Sequence, residues 1–142
     1  MIWTKPEMVL LAVDAAERNG LDPAFVCALI EVSTHWNPAA CEYNPAPHQK
    51  PYDPWNDDWD VFHRESHTYG LMQVQGDETG NLTDAKENVE IGCKKFAKIL
   101  GSVHRDYQQA LRIWWNMKDP PKLQIVLGMA KQYDKFLESR PA

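Results

Sequence analysis

Two short segments of the chain contain the side chains best suited to acid–base or nucleophilic chemistry. Residues 29–38 read LIEVSTHWNP, and residues 69–74 read YGLMQV. In the first segment, Ser33 precedes His35 by two residues. Residues two apart on a helix do not face each other, and no acidic residue is evident that would orient the imidazole. We therefore do not expect a serine nucleophile, and proton transfer by a carboxyl group is the chemistry to consider.

Three glutamates lie near these segments and are candidates for such an acid. Glu31 is two residues from Ser33, which is about 200° around a helix of about 3.6 residues per turn, so the two side chains point to opposite sides. Glu65 precedes the second segment in a loop that could fold over a cleft. A solvated surface charge paired with Arg64 is a simpler explanation for Glu65 than a catalytic role. Glu42 is a similar candidate, with no further support.

The elements that position these residues are predicted to be helices. One helix starts at Asp22-Pro23 and ends at Asn37-Pro38, because proline disfavours helix in the residue before it. Its apolar side chains recur at helical spacing: Phe25, Val26, Leu29 and Ile30. Capping signals and apolar periodicity predict further helices over residues 4–19, where TKPE (4–7) forms a capping box, and over 84–100, 106–115 and 123–139. No strand-like alternation of useful length is visible, so the predicted fold class is all-α.

Residues 39–67 differ from the rest of the chain. They contain the acidic run 57–60 (DDWD) and four prolines, Pro45, Pro47, Pro51 and Pro54. The composition predicts a long loop between the second and third helices that has room for one short turn of helix. Loops of more than about 12–15 residues inside compact domains are uncommon and often functional. The alternative is an insertion that only packs on the domain.

Composition and charge exclude several classes of function. The chain has 142 residues, of which 44% are hydrophobic and 25% charged, as in a soluble globular domain. Its net charge of −5 argues against a nucleic-acid partner, which requires a basic face. No apolar run approaches the ~18–20 residues that cross a bilayer, and the short run 8–13 does not indicate a signal peptide. We expect a monomer without membrane insertion.

The three cysteines, Cys27, Cys41 and Cys93, are odd in number and lack the spacing of zinc ligands. We interpret them as free thiols in a reducing compartment. The sequence therefore predicts neither a metal site nor any other cofactor.

In order and spacing, the two segments resemble the SLT-type, goose-lysozyme-like lytic transglycosylases, which cleave the glycan strands of bacterial peptidoglycan. The first two motifs of that family are I-x-x-E-S-x-[FW]-N-P and G-L-M-Q, and residues 30–38 and 70–73 stand in their places. The resemblance covers the chain from Gly20 to about Asn116. Further matching segments are 21–23 (LDP), 40–45 (ACEYNP), 88–93 (NVEIGC) and 110–116 (ALRIWWN).

The resemblance implies a lysozyme-like helical domain spanning residues 1–142, with a cleft that binds a glycan strand. In the family, a glutamate of the first motif protonates the glycosidic oxygen. The 6-hydroxyl of the sugar then attacks the anomeric carbon, which gives a 1,6-anhydro product. The residues implied to bind substrate here are Tyr69, Gly70, Leu71, Met72, Gln73, Trp115 and Asn116.

This chain departs from the family at the catalytic position. Ser33 stands where the family has its glutamate, and a hydroxyl cannot act as a carboxylic acid near neutral pH. Asn44 stands where one phage and bacterial subgroup often has a second glutamate. Met117-Lys118 replaces the small residues that follow the asparagine in the family. Glu65 is the candidate for a substitute acid.

Three functions therefore have to be weighed. The first is binding and cleavage of peptidoglycan glycan strands by a muralytic, lysozyme-like enzyme. The second is binding of peptidoglycan or a protein partner by a catalytically inactive homologue. A helical domain that uses the 39–67 loop as an interaction surface is a third alternative. The expected location is the cytoplasm on synthesis, with action on the cell wall after release or as a component of a virion.

Overall fold

Helices make up most of the described chain, and a small sheet accompanies them. A computed structural model describes residues 6–45, 49–76, 80–117 and 120–139. Within these residues, the helices are α1 (Pro6–Arg18), α2 (Pro23–Thr34), α3 (Trp59–Glu65), α4 (Ala85–Ser102), α5 (Tyr107–Trp114) and α6 (Leu123–Glu138). The strands β1 (Cys41–Tyr43), β2 (His67–Tyr69) and β3 (Val74–Gln75) form an antiparallel sheet in the order β1-β2-β3.

The helix starts predicted near Asp22, Asp84 and Asp106 are confirmed. The side chain of Asp22 accepts a hydrogen bond from the amide of Ala24, and Asp84 accepts one from the amide of Glu87. Asp106 caps α5 through the amides of Gln108 and Gln109. Each cap satisfies amides that have no partner within the first turn of a helix. Part of the capping box at residues 4–7 lies outside the described residues.

Two predicted helix ends differ from the structure. α2 ends at Thr34, before Asn37-Pro38, because His35 and Trp36 adopt left-handed backbone conformations with φ of 50° and 63°. The amide of His35 donates to the carbonyl of Glu31 and closes the last turn. α4 continues past Gly101 to Ser102. The glycine therefore lies in the last turn of the helix and does not end it.

The mostly helical character is confirmed, but the expectation that the fold contains helices alone is wrong. The strands have three, three and two residues, which is too short for an alternating pattern to show in the sequence. All three residues of β1 are exposed, so burial leaves no pattern there either. The pairing of β1 with β2 joins Cys41 to Tyr69 and Tyr43 to His67.

The segment 39–67 contains more secondary structure than predicted. β1 lies near its start, and α3 occupies seven residues near its end. The acidic run has a local function: the side chain of Asp58 accepts from the amides of Asp60 and Val61 and so caps α3. Asp53 forms a similar turn by accepting from the amide of Trp55. Both aspartate side chains accept hydrogen bonds from backbone amides that would otherwise bond only to water.

The core is centred on α2, which packs against α1 and α6. Nine of its twelve residues are buried. Near its end, the carboxylate of Glu31 accepts a hydrogen bond of 2.6 Å from the Tyr133 hydroxyl on α6. That hydroxyl in turn accepts from Nε1 of Trp36 at 2.9 Å. Burial, and next the bond to Glu31, raise the pKa of Tyr133 well above its usual value.

None of the three cysteines, all of which lie in the described part of the chain, forms a disulfide bond. Cys27 and Cys93 are buried, and burial raises the pKa of the Cys93 thiol to about 12. Cys41 is exposed at the start of β1. Among the described helices, none is both long enough and apolar enough to cross a membrane.

Asn88, a fully buried residue of α4, holds the segment between β2 and β3 in place. Its side-chain amide donates to the carbonyls of Tyr69 and Leu82 at 2.7 and 2.8 Å, and its oxygen accepts from the amide of Met72 at 3.0 Å. Gly70 passes close by with φ of +76°, and a Cβ there would lie 2.2 Å from the nitrogen of this amide. Only glycine fits this backbone conformation and this contact.

Asn88→Asp is expected to lower the free energy of unfolding by about 3 kcal/mol, because it removes two donors and places a buried carboxylate against two carbonyl oxygens. The measurement is urea denaturation followed by circular dichroism. Asn81→Asp is the matched control, since within the described residues the exposed Asn81 side chain accepts bonds from Thr83 that an aspartate also accepts. Equal stability of the two variants would contradict the role given to Asn88.

Candidate functional site: a polar cleft beside the sheet

A cleft of about 390 Å³ is lined by residues from α2, the sheet, α4, α5 and the segment leading to α6. This volume is within the range of about 300–1,000 Å³ that is usual for small-molecule sites. The lining residues are Ser33, Glu42, Asn44, Pro45, Thr68, Gln73, Gln75, Lys95, Ile99, Ile113, Trp114, Trp115, Asn116 and Lys122. Most of them are polar, and two are tryptophans.

The cleft brings together several of the residues singled out from the sequence. Ser33, Gln73, Trp115 and Asn116 all line it, although they come from distant parts of the chain. The other predicted site residues are not among the lining residues: Glu65, Tyr69, Gly70, Leu71 and Met72. The structure therefore brings one residue of each opening segment, Ser33 and Gln73, to the same cavity.

Ser33 is the residue of α2 that reaches this cleft. Its hydroxyl oxygen is buried and has no hydrogen-bond partner within the described part of the chain. The neighbouring Thr34 differs, since its hydroxyl lies 3.0 Å from the carbonyl oxygens of both Ile30 and Leu71. A buried polar atom without a partner is uncommon in folded proteins because it loses its hydrogen bonds to water. The Ser33 hydroxyl is therefore available to a ligand that enters the cleft.

Gln73 lines the cleft, but its side chain is occupied by the protein itself. The backbone is left-handed there, with φ of 52°. The amide nitrogen donates to the carbonyls of Ala40 and Gly70 at 3.1 and 2.9 Å. The amide oxygen accepts from the Thr68 hydroxyl at 2.6 Å. Gln73 thus fixes the wall of the cleft by linking the second segment to β2 and to the residue before β1.

The remaining residues of the second segment support this wall from behind. Leu71 and Met72 are fully buried, and their backbones are held by Thr34 and Asn88 respectively. Tyr69 is half-buried, and burial raises the pKa of its hydroxyl. Gly70 makes close contact with Asn88, as described above. These residues position the cleft and do not line it.

The three candidate carboxylates occupy different places. Glu31 is buried and bonded to Tyr133, on the side of α2 away from Ser33, as helical geometry predicts. Glu65 is exposed at the end of α3 and does not line the cleft. Glu42 lines the cleft and is exposed on β1. Among the described residues, Glu42 is therefore the one carboxylate of the cleft lining.

The sheet presents a row of three polar side chains to the cleft. Glu42 is paired with Thr68, and Thr68 is paired with Gln75. Residues directly opposite each other on neighbouring strands share one face of the sheet, and all three line the cleft. Sequence reasoning did not find this row, because the strands that create it are too short to be predicted.

The helical side of the cleft is aromatic and basic. The rings of Trp114 and Phe96 pack in a T-shaped arrangement with their centroids 5.6 Å apart, which fixes Trp114 to the core. Trp115 is half-buried next to it. Lys95 on α4 is half-buried, and Lys122, at the start of α6, is exposed. Sequence reasoning considered neither lysine, because nothing in their local sequence indicates that they approach the first two segments.

These two sides suit a ligand that has both polar and apolar faces. A tryptophan ring packs against the apolar face of a pyranose, while hydroxyl, amide and carboxylate groups bind the sugar hydroxyls. The described residues contain no cluster of three or more histidine, cysteine or acidic side chains that could hold a metal ion. The described lining thus offers both aromatic surface and hydrogen-bonding groups to a ligand.

Comparisons of the chain with protein-family models, with curated protein sequences and with solved structures find no match.

The unpartnered hydroxyl of Ser33 and the bonded hydroxyl of Thr34 predict opposite responses to removal. Ser33→Ala should change the free energy of unfolding by less than about 0.5 kcal/mol or increase it, because no hydrogen bond is lost. Thr34→Val should lower it by about 1–2 kcal/mol, because a buried bond is lost while the shape is kept. Urea denaturation measures both variants. A destabilised Ser33→Ala would show that Ser33 is bonded in the free protein.

Proposed function

We propose that the cleft binds the glycan strands of peptidoglycan and that the chain has the lysozyme-like fold of a lytic transglycosylase. The observation that carries this proposal is the meeting of Ser33, Gln73 and Asn116 around one cleft. These residues belong to three separate segments that the resemblance assigns to one substrate site. The tryptophan beside Asn116 and the polar row on the sheet support the same ligand class, because a glycan needs both stacking and hydrogen bonding.

As it stands, the chain is proposed to bind glycan strands without efficient cleavage. Protonation of a glycosidic oxygen requires a general acid within hydrogen-bonding reach, and Ser33 occupies the position of that acid. A serine hydroxyl is too weak an acid to protonate a glycosidic oxygen near neutral pH. Loss of a general acid usually lowers a rate by about 10²–10⁴-fold. The remaining features of the cleft serve binding, which does not need the acid.

A second candidate function is cleavage with Glu42 as the acid. The observation that favours it is the position of this carboxylate on the cleft, in the same cross-strand row as Thr68. The exposure of Glu42 speaks against it, because an acid that must keep its proton at neutral pH is usually desolvated by burial. Binding without cleavage is therefore the preferred function.

Substitution of two tryptophans, one that lines the cleft and one that does not, tests binding. Trp115→Ala should weaken binding to purified, insoluble peptidoglycan by about tenfold, since the stacking surface is lost. Trp55→Ala is the matched control, because Trp55 is 92% exposed and does not line the cleft. Co-sedimentation measures both, and thermal melting checks that Trp115→Ala is folded. Equal weakening by both variants would place the binding surface outside the cleft.

Cleavage is tested by restoring the missing acid. Ser33→Glu should release soluble anhydro-muropeptides from peptidoglycan, whereas the unaltered chain should release none, because only the variant has a carboxyl group at the catalytic position. Mass spectrometry of the supernatant identifies the products.

The same assay distinguishes the second candidate. If the unaltered chain releases fragments and Glu42→Gln does not, Glu42 is the acid and the preferred function is wrong. If neither the unaltered chain nor Ser33→Glu releases fragments or binds peptidoglycan, the assignment of the cleft to glycan strands is wrong.

A further inference from the structure

A row of aromatic rings lies on the face of the sheet opposite the cleft. Tyr43 and His67 are paired across β1 and β2, next to the residues of these strands that line the cleft, so their side chains leave the sheet on the other side. The centroids of their rings are 5.5 Å apart. The ring of His67 stacks on that of His63 at 4.0 Å, and His63 lies 5.9 Å from Trp59. The row therefore continues from β1 onto α3.

The α3 end of the row is broad and uncovered. The ring of Tyr52 lies 5.0 Å from Trp59 and 5.1 Å from Phe62. None of the seven residues of α3, all in the described part of the chain, is buried. Nine large hydrophobic side chains are exposed in the described chain, and four of them belong to this region: Tyr43, Trp55, Trp59 and Val61. Single exposed hydrophobic residues are ordinary, but a cluster of them marks a surface that contacts another molecule.

Most of the net charge of the chain lies beside these rings. Residues 52–65 contain one basic residue, Arg64, and five acidic residues: Asp53, Asp57, Asp58, Asp60 and Glu65. This segment therefore has a net charge of −4, of a total of −5 for the chain. Bonds from the Asn56 side chain and then from the amide of Trp55 lower the pKa of Asp53, so it stays ionised. The surface thus combines exposed rings with concentrated negative charge.

We propose that this surface docks a basic, arginine-containing segment of a partner protein. The aromatic row consists of Tyr43, Tyr52, Trp59, Phe62, His63 and His67, and none of these residues lines the cleft. A guanidinium group is planar and always charged, so it can stack on an exposed ring and pair with a carboxylate at the same time. Trp59 supplies a ring that is 54% exposed, and Asp60 is exposed about one turn before His63. The inference does not depend on the ligand of the cleft.

Other occupants fit this surface less well. Nucleic acids and anionic lipid surfaces are repelled by the negative charge of residues 52–65. A second copy of the chain in a two-fold symmetric contact would place two such segments against each other. A neutral glycan can stack on the rings but gains nothing from the charge of the carboxylates. A basic segment makes use of both features, and complementary charge also accelerates its association.

Fluorescence anisotropy with three labelled peptides of equal length tests this proposal. The first alternates glycine with arginine, the second glycine with lysine, and the third glycine with citrulline, the uncharged analogue of arginine. The unaltered chain should bind the arginine peptide about tenfold or more tightly than the citrulline peptide, because only the former is charged. It should bind the arginine peptide about threefold more tightly than the lysine peptide, because an ammonium group does not stack as a plane.

Substitutions on and off the surface locate the binding. Trp59→Ala should weaken binding of the arginine peptide about tenfold, whereas Trp59→Phe keeps a ring and should weaken it about threefold or less. Ile125→Ala is the matched control, because Ile125 lies on α6 and is 55% exposed. It should leave the affinity unchanged. Thermal melting checks that each variant is folded.

A second pair of variants tests the charge without removing a ring. Asp60→Asn should weaken binding of the arginine peptide about threefold. Asp134→Asn is its matched control, since Asp134 is exposed on α6 and its substitution removes the same charge. Equal weakening by both variants would overturn the proposal, because net charge alone would then explain the binding. This pair decides the question even if Trp59→Ala does not fold.

Equal affinity for the arginine and citrulline peptides, or no binding of any peptide, would overturn a basic partner. Equal affinity for the arginine and lysine peptides would overturn the preference for arginine. Two further results would assign the surface to another occupant and so overturn the proposal. One is a dimer in sedimentation equilibrium that Trp59→Ala dissociates and Ile125→Ala does not. The other is weaker co-sedimentation with peptidoglycan in Trp59→Ala alone.

Discussion

The buried hydrogen bond between Glu31 and Tyr133 fixes the rotation of α2, and the cleft depends on that rotation. A carboxylate in the core must have a strong donor, and the Tyr133 hydroxyl provides one at 2.6 Å. Nε1 of Trp36 donates to the same hydroxyl, so the residues just after the helix are held as well. With Glu31 turned toward α6, the side chain of Ser33 is directed to the opposite side. The same helix thus supplies the core with one polar group and the cleft with another.

A second set of polar contacts makes the wall of the cleft independent of the residue at position 33. Asn88, Gln73 and Thr34 hold the backbone between β2 and β3 through bonds to Tyr69, Gly70 and other carbonyls or amides of this segment. None of these bonds involves Ser33. A change of the side chain at that position therefore alters the chemistry of the cleft without removing a contact that maintains its shape. Under the proposed function, this separation lets a glycan-binding site persist where the general acid of the family is missing.

The helices could be predicted from the sequence because their signals are local. Asp22, Asp84 and Asp106 each cap a helix within three residues, and apolar periodicity marks the helical stretches that follow. The sheet could not be predicted, because it joins residues 41–43 to residues 67–69 through pairing that leaves no local pattern. The residues of the site also divide into those with a local sequence signal and those placed by long-range contacts. Motif order indicated Ser33, Gln73, Trp115 and Asn116, whereas strand register and helix packing place Glu42, Thr68, Gln75, Lys95 and Lys122 in the cleft.

The central claim is that a glycan strand occupies this cleft, and a nuclear magnetic resonance titration tests it most directly. Nitrogen-15-labelled protein would be titrated with the alternating N-acetylglucosamine–N-acetylmuramic acid tetramer. The account predicts that the indole resonance of Trp115 and the amide resonances of Ser33 and Thr68 shift together and saturate at one affinity. The indole of Trp36, bonded to Tyr133, and that of the exposed Trp55 should remain unchanged. Shifts at Trp55 with none at Ser33, Thr68 or Trp115 would contradict the account.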